Sequence, residues 1–244
     1  MTSADVIAFF LIAFGYLSLA IFLVGVAYRI YLYAKTPAPL NIALTPAPAT
    51  AGGVLARLTG DVLLFQNLFR ADKVLWAGSW IFHASLFLAL IRHLRYFLYP
   101  VPGFIADWQT ISLYAGYLLP IGAVYLLWRR LASLREFYTS GVPDYGVLIL
   151  LSCIAGTGLL VHYVARVYIV DIKAFALGLV TLHPVAPPMH PIFSFHFLLV
   201  CLLLIYFPYS KLMHAGGLFF SPTRNQPFDV THRRHINPWD YSVD

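Results

Sequence analysis

Five long apolar stretches constrain the fold of this chain more than any other feature of its sequence. Each is long enough to cross about 30 Å of hydrocarbon as a helix. They are Val6–Ile30, Val74–Leu98, Ile111–Leu131, Gly146–Ile169 and Pro191–His214. Only 11% of the 244 residues are charged, about half the share found in soluble domains. Because backbone groups in lipid must pair within their own segment, the sequence predicts an all-α integral membrane protein with five transmembrane helices in a bundle.

Basic residues between the stretches predict the orientation. Twelve lie on one side of the membrane and four on the other, and the positive-inside rule assigns the richer side to the cytoplasm. We therefore expect the N-terminus outside and the C-terminus inside. The twelve are Arg29, Lys35, Arg57, Arg70, Lys73, Arg129, Arg130, Arg135, Lys211, Arg224, Arg233 and Arg234, and the four are Arg92, Arg95, Arg166 and Lys173.

The connecting segments suggest surfaces for partners. In the interfacial loop, residues 31–73, two Thr-Pro-Ala-Pro copies at Thr36–Pro39 and Thr45–Pro48 favour an extended chain. Apolar residues at helical spacing over Val54–Phe69 predict one amphipathic helix, either a docking surface or a simple connector. We divide the chain into a membrane domain, residues 1–217, and a cytoplasmic tail, residues 218–244. The tail is rich in aromatic residues and arginine, so we expect it to bind a partner, with lipid head groups as the alternative.

Four histidines lie within two of the predicted spans. His83 and His93 are in the second span, and His196 and His214 are in the fifth. Ionisable residues inside a membrane usually face a cofactor or an ion pathway. Two imidazoles on one iron fill both axial positions, which suits electron transfer. The sequence therefore predicts two b-type haems with these four axial ligands.

Depth in the membrane favours one pairing of the four ligands. The two spans run antiparallel, and His93 and His196 both lie about 7.5 Å from the outer end. His83 and His214 lie at about 22 Å and 34 Å, a mismatch that requires tilt, a kink at Pro208 or different span ends. The opposite pairing, His83 with His196 and His93 with His214, gives a much larger mismatch of depth. His196 and His214 are eighteen residues apart, which is five whole helical turns, so we also expect them to share one face.

Other metal sites fit the sequence less well. Zinc requires four ligands around one centre, and the two histidine pairs are too far apart along the helices. The only cysteines, Cys153 and Cys201, cannot supply an iron–sulfur site. Histidines bonded only to backbone or to one another remain the structural alternative. No nucleophile, catalytic dyad or substrate pocket is evident, so we assign no catalytic residue.

A second polar cluster is expected near the outer end of the bundle. It contains Arg92, Arg95, His162 and Arg166. Arginine pairs equally well with haem propionates and with lipid phosphate. A quinone head group also needs polar partners at the membrane edge. These four residues are therefore candidates for contact with quinone, propionate or lipid.

Two spans with histidines ten and eighteen residues apart resemble the respiratory nitrate reductase gamma subunit family. In that family the outer haem joins the later histidine of the second span to the earlier histidine of the fifth. The resemblance therefore implies pairs of His93 with His196 and of His83 with His214. It covers all five spans.

The loops resemble a narrower family, the membrane cytochrome b subunits (DsrM) of dissimilatory sulfite reduction complexes. The Pro-Ala-Pro loop carries this likeness, together with Phe69–Trp76, Phe82–His83, Arg92–Phe97 and Phe219–Gln226. It implies two haem b groups and electron exchange with quinone, such as menaquinone, in the cytoplasmic membrane of a prokaryote. It also implies a cytoplasmic iron–sulfur partner resembling heterodisulfide reductase, with other subunits of a membrane complex and no nucleic acid.

Three functions are compatible with these features. The first is an electron-transfer subunit of an oxidoreductase complex in sulfur metabolism. The second is a quinol-oxidising anchor for a nitrate reductase or another molybdenum reductase, although the long first loop and the tail depart from the plain nitrate reductase pattern. The third is a transporter or scaffold without redox activity, in which the histidines conduct protons or bind a metal.

Overall fold

The computed structural model describes residues 2–37 and 46–228. All regular structure in those two ranges is helical, with no strand. Five helices there are long and apolar enough to cross a membrane: Ser3–Lys35, Lys73–Leu94, Gln109–Ala132, Val142–Ala165 and Pro191–Tyr209. The prediction of an all-α membrane protein with five spans is confirmed, with the ends of several spans shifted by a few residues.

Twelve α-helices follow one another along the described residues. They are α1 Ser3–Lys35, α2 Ala51–Leu63, α3 Gln66–Ala71, α4 Lys73–Leu94, α5 Gly103–Asp107, α6 Gln109–Ala132, α7 Leu134–Thr139, α8 Val142–Leu160, α9 Ile169–Val180, α10 Pro191–Tyr206, α11 His214–Gly217 and α12 Pro222–Asn225. A π-helical turn, Val161–Ala165, extends α8, and two 3₁₀ turns connect α10 to α11. We call the end of the bundle with Lys35, Lys73, Arg129 and Lys211 the basic end, and the other the opposite end.

The five long helices pack in the order α4, α6, α8, α10 and α1. Glycines permit the closest approaches between them. A Cβ atom at Gly78 of α4 would overlap the ring of Tyr125 on α6, and one at Gly122 of α6 would lie 3.2 Å from the Cβ of Phe82. In the part of the chain that the structure describes, α4 and α10 are not closely packed against each other. The arrangement leaves these two helices facing each other across a slot.

The fifth span ends earlier than the sequence predicts. The α-helix stops at Tyr206, and 3₁₀ turns at Phe207–Tyr209 and Lys211–Met213 lead to His214, the first residue of α11. Proline cannot donate a hydrogen bond and clashes with the preceding turn, so Pro208 interrupts the helix. The predicted span to His214 is therefore wrong at its end. The prediction that His196 and His214 share a face by helical periodicity also fails, because no continuous helix joins them.

The interfacial segment is two helices and not one. The predicted helix Val54–Phe69 is divided between α2 and α3, and Phe65 lies between them in a left-handed conformation with φ of 50°. Trp76 and Trp80 of α4 donate hydrogen bonds to the carbonyls of Leu64 and Leu63, at 2.7 and 3.0 Å. These bonds fix the break directly against α4. Parts of both Thr-Pro-Ala-Pro copies fall in residues 38–45, outside the described residues.

The described part of the tail lies on α2 and α1. Arg224 of α12 forms an ion pair with Asp61 of α2 at 2.9 Å, and the amide of Phe228 donates to the carbonyl of Pro48 at 2.8 Å. The ring of Phe220 lies 6.2 Å from that of Tyr33 on α1. The segment after the fifth span is therefore tied to the interfacial segment. The remaining residues assigned to a docking role, including Arg233, Arg234, Trp239 and Tyr241, are outside the described residues.

Ion pairs join the helix ends at the basic end. Asp72 caps α4, where its carboxylate accepts hydrogen bonds from the amides of Val74 and Leu75, and it pairs with Arg129 of α6. The hydrogen bond from Leu75 and the charge of Arg129 lower the pKa of Asp72. Asp144 caps α8 and pairs with Lys211 at 2.7 Å. These contacts connect α4 with α6, and α8 with the turn before His214.

Candidate functional site

His83 and His214 face each other at the basic-end side of the slot. Their ring centroids are 6.1 Å apart and their planes are inclined by 83°. Two imidazole nitrogens, each about 2 Å from one metal ion, place the ring centres about 6 Å apart. The observed separation therefore fits one iron between the two rings. We call these two residues the basic-end pair.

The main chain orients both rings of the basic-end pair. The Nδ1 atom of His83 lies 2.7 Å from the carbonyl oxygen of Ser79, and that of His214 lies 2.7 Å from the carbonyl oxygen of Lys211. A carbonyl oxygen can only accept, so each Nδ1 carries the proton and donates it. The Nε2 atom is then unprotonated and free to bind metal, as in most histidines that ligate metals in proteins.

His93 and His196 form the opposite-end pair. The Nδ1 of His93 donates to the carbonyl of Ala89 at 2.7 Å, and the Nδ1 of His196 lies 2.9 Å from the hydroxyl oxygen of Thr157 on α8. The two rings are close enough for a charge on one to act on the other. His93 therefore shares the protonation pattern of the basic-end pair, with Nε2 left free, whereas the partner of His196 is a hydroxyl, which can donate or accept.

Aromatic side chains lie beside the histidines at the slot between α4 and α10, and a flat apolar cofactor requires such apolar surroundings. Phe65 and Phe82 both pack edge-on against His83, with centroids at 5.0 and 5.2 Å, and Tyr96 lies 5.8 Å from His93. In the described ranges no three His, Cys, Asp or Glu side chains come together as a metal site. The donors fit two separate two-histidine sites better than one zinc site. The structure thus brings together the predicted pairs, and the ligand role of each histidine stays a prediction.

A small polar cavity lies beside the opposite-end pair. It has a volume of about 130 Å³ and is lined by Arg92, Arg95 and Gln109, together with apolar residues. The Nη1 atom of Arg95 is buried and has no hydrogen-bond partner among the residues described. An unpaired guanidinium nitrogen is costly to bury. The cavity therefore suits an acceptor such as a carboxylate or a quinone carbonyl.

The other two residues of the predicted outer cluster, His162 and Arg166, differ from each other in their positions. His162 is close enough to Arg92 and Arg95 to be influenced by their charges. It belongs to the π-helical turn Val161–Ala165, an irregularity that is frequent at functional sites. Arg166 follows in a left-handed conformation, with φ of 47°, and its Nε donates to the carbonyl of Tyr163 at 3.4 Å. Arg166 does not line the cavity.

Three contacts of the site have little or no signal in the sequence. Phe65 reaches His83 only because the interfacial segment breaks there, and an apolar periodicity over the whole segment hides that break. Gln109 is a single polar residue at a span end. Thr157 has the clearest signal, because it is a hydroxyl between Gly156 and Gly158 in the middle of an apolar span. Small residues at that position allow another helix to approach closely.

Comparison with known proteins places the chain in a family. Residues 66–226 match the family model described as nitrate reductase gamma subunit. The chain belongs to the nitrate reductase gamma subunit family. The region matched in this gamma family member contains all four paired histidines and the polar cavity, whereas α1 and α2 precede it.

Two relatives of this gamma family chain share nearly its whole length. One, from Archaeoglobus fulgidus, is 36% identical over 92% of this chain and 81% of its own length. The other, from Archaeoglobus profundus, is 32% identical over 93% of this chain and 82% of its own length. Both carry the name Hdr-like menaquinol oxidoreductase cytochrome b-like subunit. The similarity to these relatives therefore extends beyond residues 66–226, the region that the family model matches.

Proposed function

We propose that this chain is a di-haem cytochrome b subunit that transfers electrons between menaquinone and a cytoplasmic iron–sulfur subunit of the heterodisulfide reductase type. The geometry of His83 and His214 carries the proposal. Two rings from different segments lie at the separation that one shared metal requires, each with Nδ1 bonded to a carbonyl and Nε2 free. The names of the two relatives support menaquinol as the redox partner.

The residues of the slot have separate tasks in this function. A bound haem would supply reversible one-electron chemistry at its iron. The four histidines hold two such groups at two depths between the same pair of segments, and so define a path between the two ends of the bundle. Phe65 and Phe82 pack edge-on against His83 and give that ligand an apolar surround.

The polar cavity beside the opposite-end pair is the place where we propose that menaquinol is oxidised or reduced. Arg95 offers a donor without a partner, and Arg92 and Gln109 complete a polar wall. His162, on which the charges of Arg92 and Arg95 act, is the group that we propose accepts a proton from quinol. The competing role for the two arginines is to pair with haem propionates. In the proposed orientation, this end faces outside and the basic end faces the cytoplasm.

We propose that the partner subunit docks at the basic end, over α2, α12 and the tail. This surface is joined to both segments that carry the basic-end pair, through the ion pair of Asp61 with Arg224 and the contact of Phe65 with His83. The DsrM-like loops point to dissimilatory sulfur metabolism, in which a small sulfur-carrier protein would be handled by the partner. Truncation after Gly217 should release the partner while both haems stay bound. A truncated chain that still copurified with a full complement of partner would place the dock elsewhere.

Histidine variants test the central claim. The wild-type protein should bind two haems, seen in a reduced-minus-oxidised spectrum. His93→Ala and His196→Ala should each lose the same haem, and His83→Ala and His214→Ala the other. His183→Ala is the matched control, because its ring bonds only to the nearby carbonyl of Thr181. If all four variants kept two haems with unchanged spectra, the chain would not ligate haem through these residues, and a protein without any haem would favour a transporter or scaffold.

Variants at the opposite end test the quinone site. Arg95→Gln and His162→Ala should slow reduction of the haems by a menaquinol analogue while the haem content stays at two. Arg166→Ala is the control, since Arg166 lies outside the cavity. If all three variants reduced their haems at the wild-type rate, the cavity would have no part in quinone chemistry. Loss of the haem itself in Arg95→Gln would assign that side chain to a propionate.

The family assignment favours a second candidate, an anchor for a nitrate reductase or another molybdenum reductase. The two candidates share the haems and the quinone and differ in the partner. Metal analysis of the complex purified through this chain separates them. Iron and acid-labile sulfide without molybdenum support the heterodisulfide reductase type, and stoichiometric molybdenum supports the reductase anchor.

A further inference from the structure

The four paired histidines are oriented in two different ways. For three of them, Nδ1 donates to a main-chain carbonyl of their own segment, at 2.7 Å in each case. His196 is the exception, because its Nδ1 lies 2.9 Å from the side-chain oxygen of Thr157 on the neighbouring helix α8. The orientation of this ring therefore depends in part on a side-chain hydroxyl group that can be removed by substitution, beside the carbonyl of Ile154, which also acts on the ring as an acceptor.

Counting protons assigns the direction of this hydrogen bond. The hydroxyl of Thr157 has one proton, and its oxygen lies 2.7 Å from the carbonyl of Cys153 and 3.1 Å from that of Ile154. Both carbonyls can only accept, so the proton of Thr157 is directed to its own helix. The oxygen of Thr157 can then only accept from His196. The proton of His196 therefore sits on Nδ1, and Nε2 keeps its lone pair.

The main chain of α8 confines the same ring from a second direction. A Cβ atom at Gly158 would lie 3.3 Å from Cε1 of His196, which is closer than ordinary van der Waals contact. Thr157 itself is buried, with 9% of its surface exposed. The hydroxyl and the bare glycine together leave little freedom for the ring to rotate about its side-chain bonds.

We propose that Thr157 is a positioning residue for the opposite-end haem: it fixes the tautomer and ring plane of His196 and sets how strongly that imidazole donates electrons to iron. This inference rests on the proposed function. A hydrogen bond from Nδ1–H to an acceptor increases the basicity of the ligating nitrogen and stabilises ferric iron. Thr157 thereby lowers the reduction potential of the opposite-end haem and leaves that of the basic-end haem unchanged.

The test uses the full-length protein in its native complex and compares Thr157→Val with Thr157→Ser. Valine keeps the shape of threonine and removes the acceptor, whereas serine keeps the hydroxyl. Ser152→Ala is the matched control, because the Ser152 hydroxyl also donates to its own helix, at the carbonyl of Leu148. Haem content, redox titration and the electron paramagnetic resonance of the ferric haems are measured. The signals lost in His93→Ala identify the opposite-end haem.

In Thr157→Val the potential of the opposite-end haem should rise and its ferric resonance should change, with the basic-end haem unaffected. Thr157→Ser and Ser152→Ala should match the wild type. Selective loss of the opposite-end haem in Thr157→Val, rescued by serine, also supports the role. If Thr157→Val cannot be purified, Thr157→Ala removes the same hydroxyl without adding an apolar group, and the same results are expected.

Two results would overturn the inference. Unchanged potentials and resonances in the valine variant would show that His196 is oriented without the hydroxyl. If Thr157→Val and Thr157→Ser changed the potential of the opposite-end haem equally, the shape of the threonine side chain, and not its hydroxyl, would carry the role. Failure of the proposed function is distinguishable from both, because it appears in the wild type as a protein without haem.

Discussion

Gly122→Ala tests how closely the fit between α4 and α6 controls the basic-end pair. The new Cβ would lie 3.2 Å from the Cβ of Phe82 and 3.3 Å from its Cα. Carbon atoms in contact prefer about 3.5 to 4.0 Å, so α4 has to retreat by about half an ångström. The obstacle is main chain and cannot rotate away. The ring of Phe82 lies 5.2 Å from that of the adjacent His83, a proposed ligand, so the displacement reaches the candidate site.

A matched control exists on the same helix. A Cβ at Gly116 would meet only a methyl group of Leu159, at an ordinary 3.9 Å. Both substitutions gain about 1 kcal/mol of helix propensity, but only Gly122→Ala carries the overpacking penalty of about 1–3 kcal/mol. For a chain of this size, the difference corresponds to an unfolding midpoint about 2–12 °C lower in Gly122→Ala than in Gly116→Ala.

The assay follows haem absorbance of the purified protein during heating, together with the spectrum of each haem at room temperature. Gly122→Ala should melt earlier than Gly116→Ala and should shift the bands of the basic-end haem alone. Equal melting temperatures with unchanged bands would refute the reasoning, because they would mean that α4 and α6 can separate at no cost to the site.

Two further substitutions have defined outcomes. Asp144→Asn removes the charge that holds Lys211, whose carbonyl orients His214, so the basic-end haem should bind more weakly in a haem-release assay while the other haem is retained. For Asp72, hydrogen bonding from Leu75 lowers the pKa of the folded state below its usual 3.8. Its stabilising contribution is therefore complete above about pH 5 and is lost as pH falls through the folded pKa. The difference in melting temperature between wild type and Asp72→Asn should accordingly shrink below pH 4.

The length of the apolar stretches predicted the five spans well, because a span requires only enough consecutive apolar residues, whereas helical periodicity assumes a continuous helix. That assumption failed where one residue changes the backbone. Pro208 ends α10 and allows His214 to return toward His83, which removes the apparent mismatch of depth between the two ligands. The left-handed Phe65 divides the interfacial segment, although its own apolar pattern continues across the break.

Which histidines lie near each other could be predicted, because depth along an antiparallel pair of helices is a one-dimensional quantity, whereas their pairing as haem ligands stays a prediction. The contacts that orient each imidazole ring could not be predicted in the same way. Thr157 and His196 are 39 positions apart in the sequence and lie on different helices. Their contact depends on how each helix is rotated about its own axis. The unpaired nitrogen of Arg95 likewise depends on how the segment between α4 and α6 folds over it.

The surface helix α2 is mechanically connected to both members of the basic-end pair. Asp61 near its end holds Arg224, ten residues after His214, and Phe65 just beyond it touches the ring of His83. The helix α2 therefore contacts both of the segments whose histidines would bind one iron. A protein bound to this helix would therefore be connected to both rings through these two contacts without touching either ring.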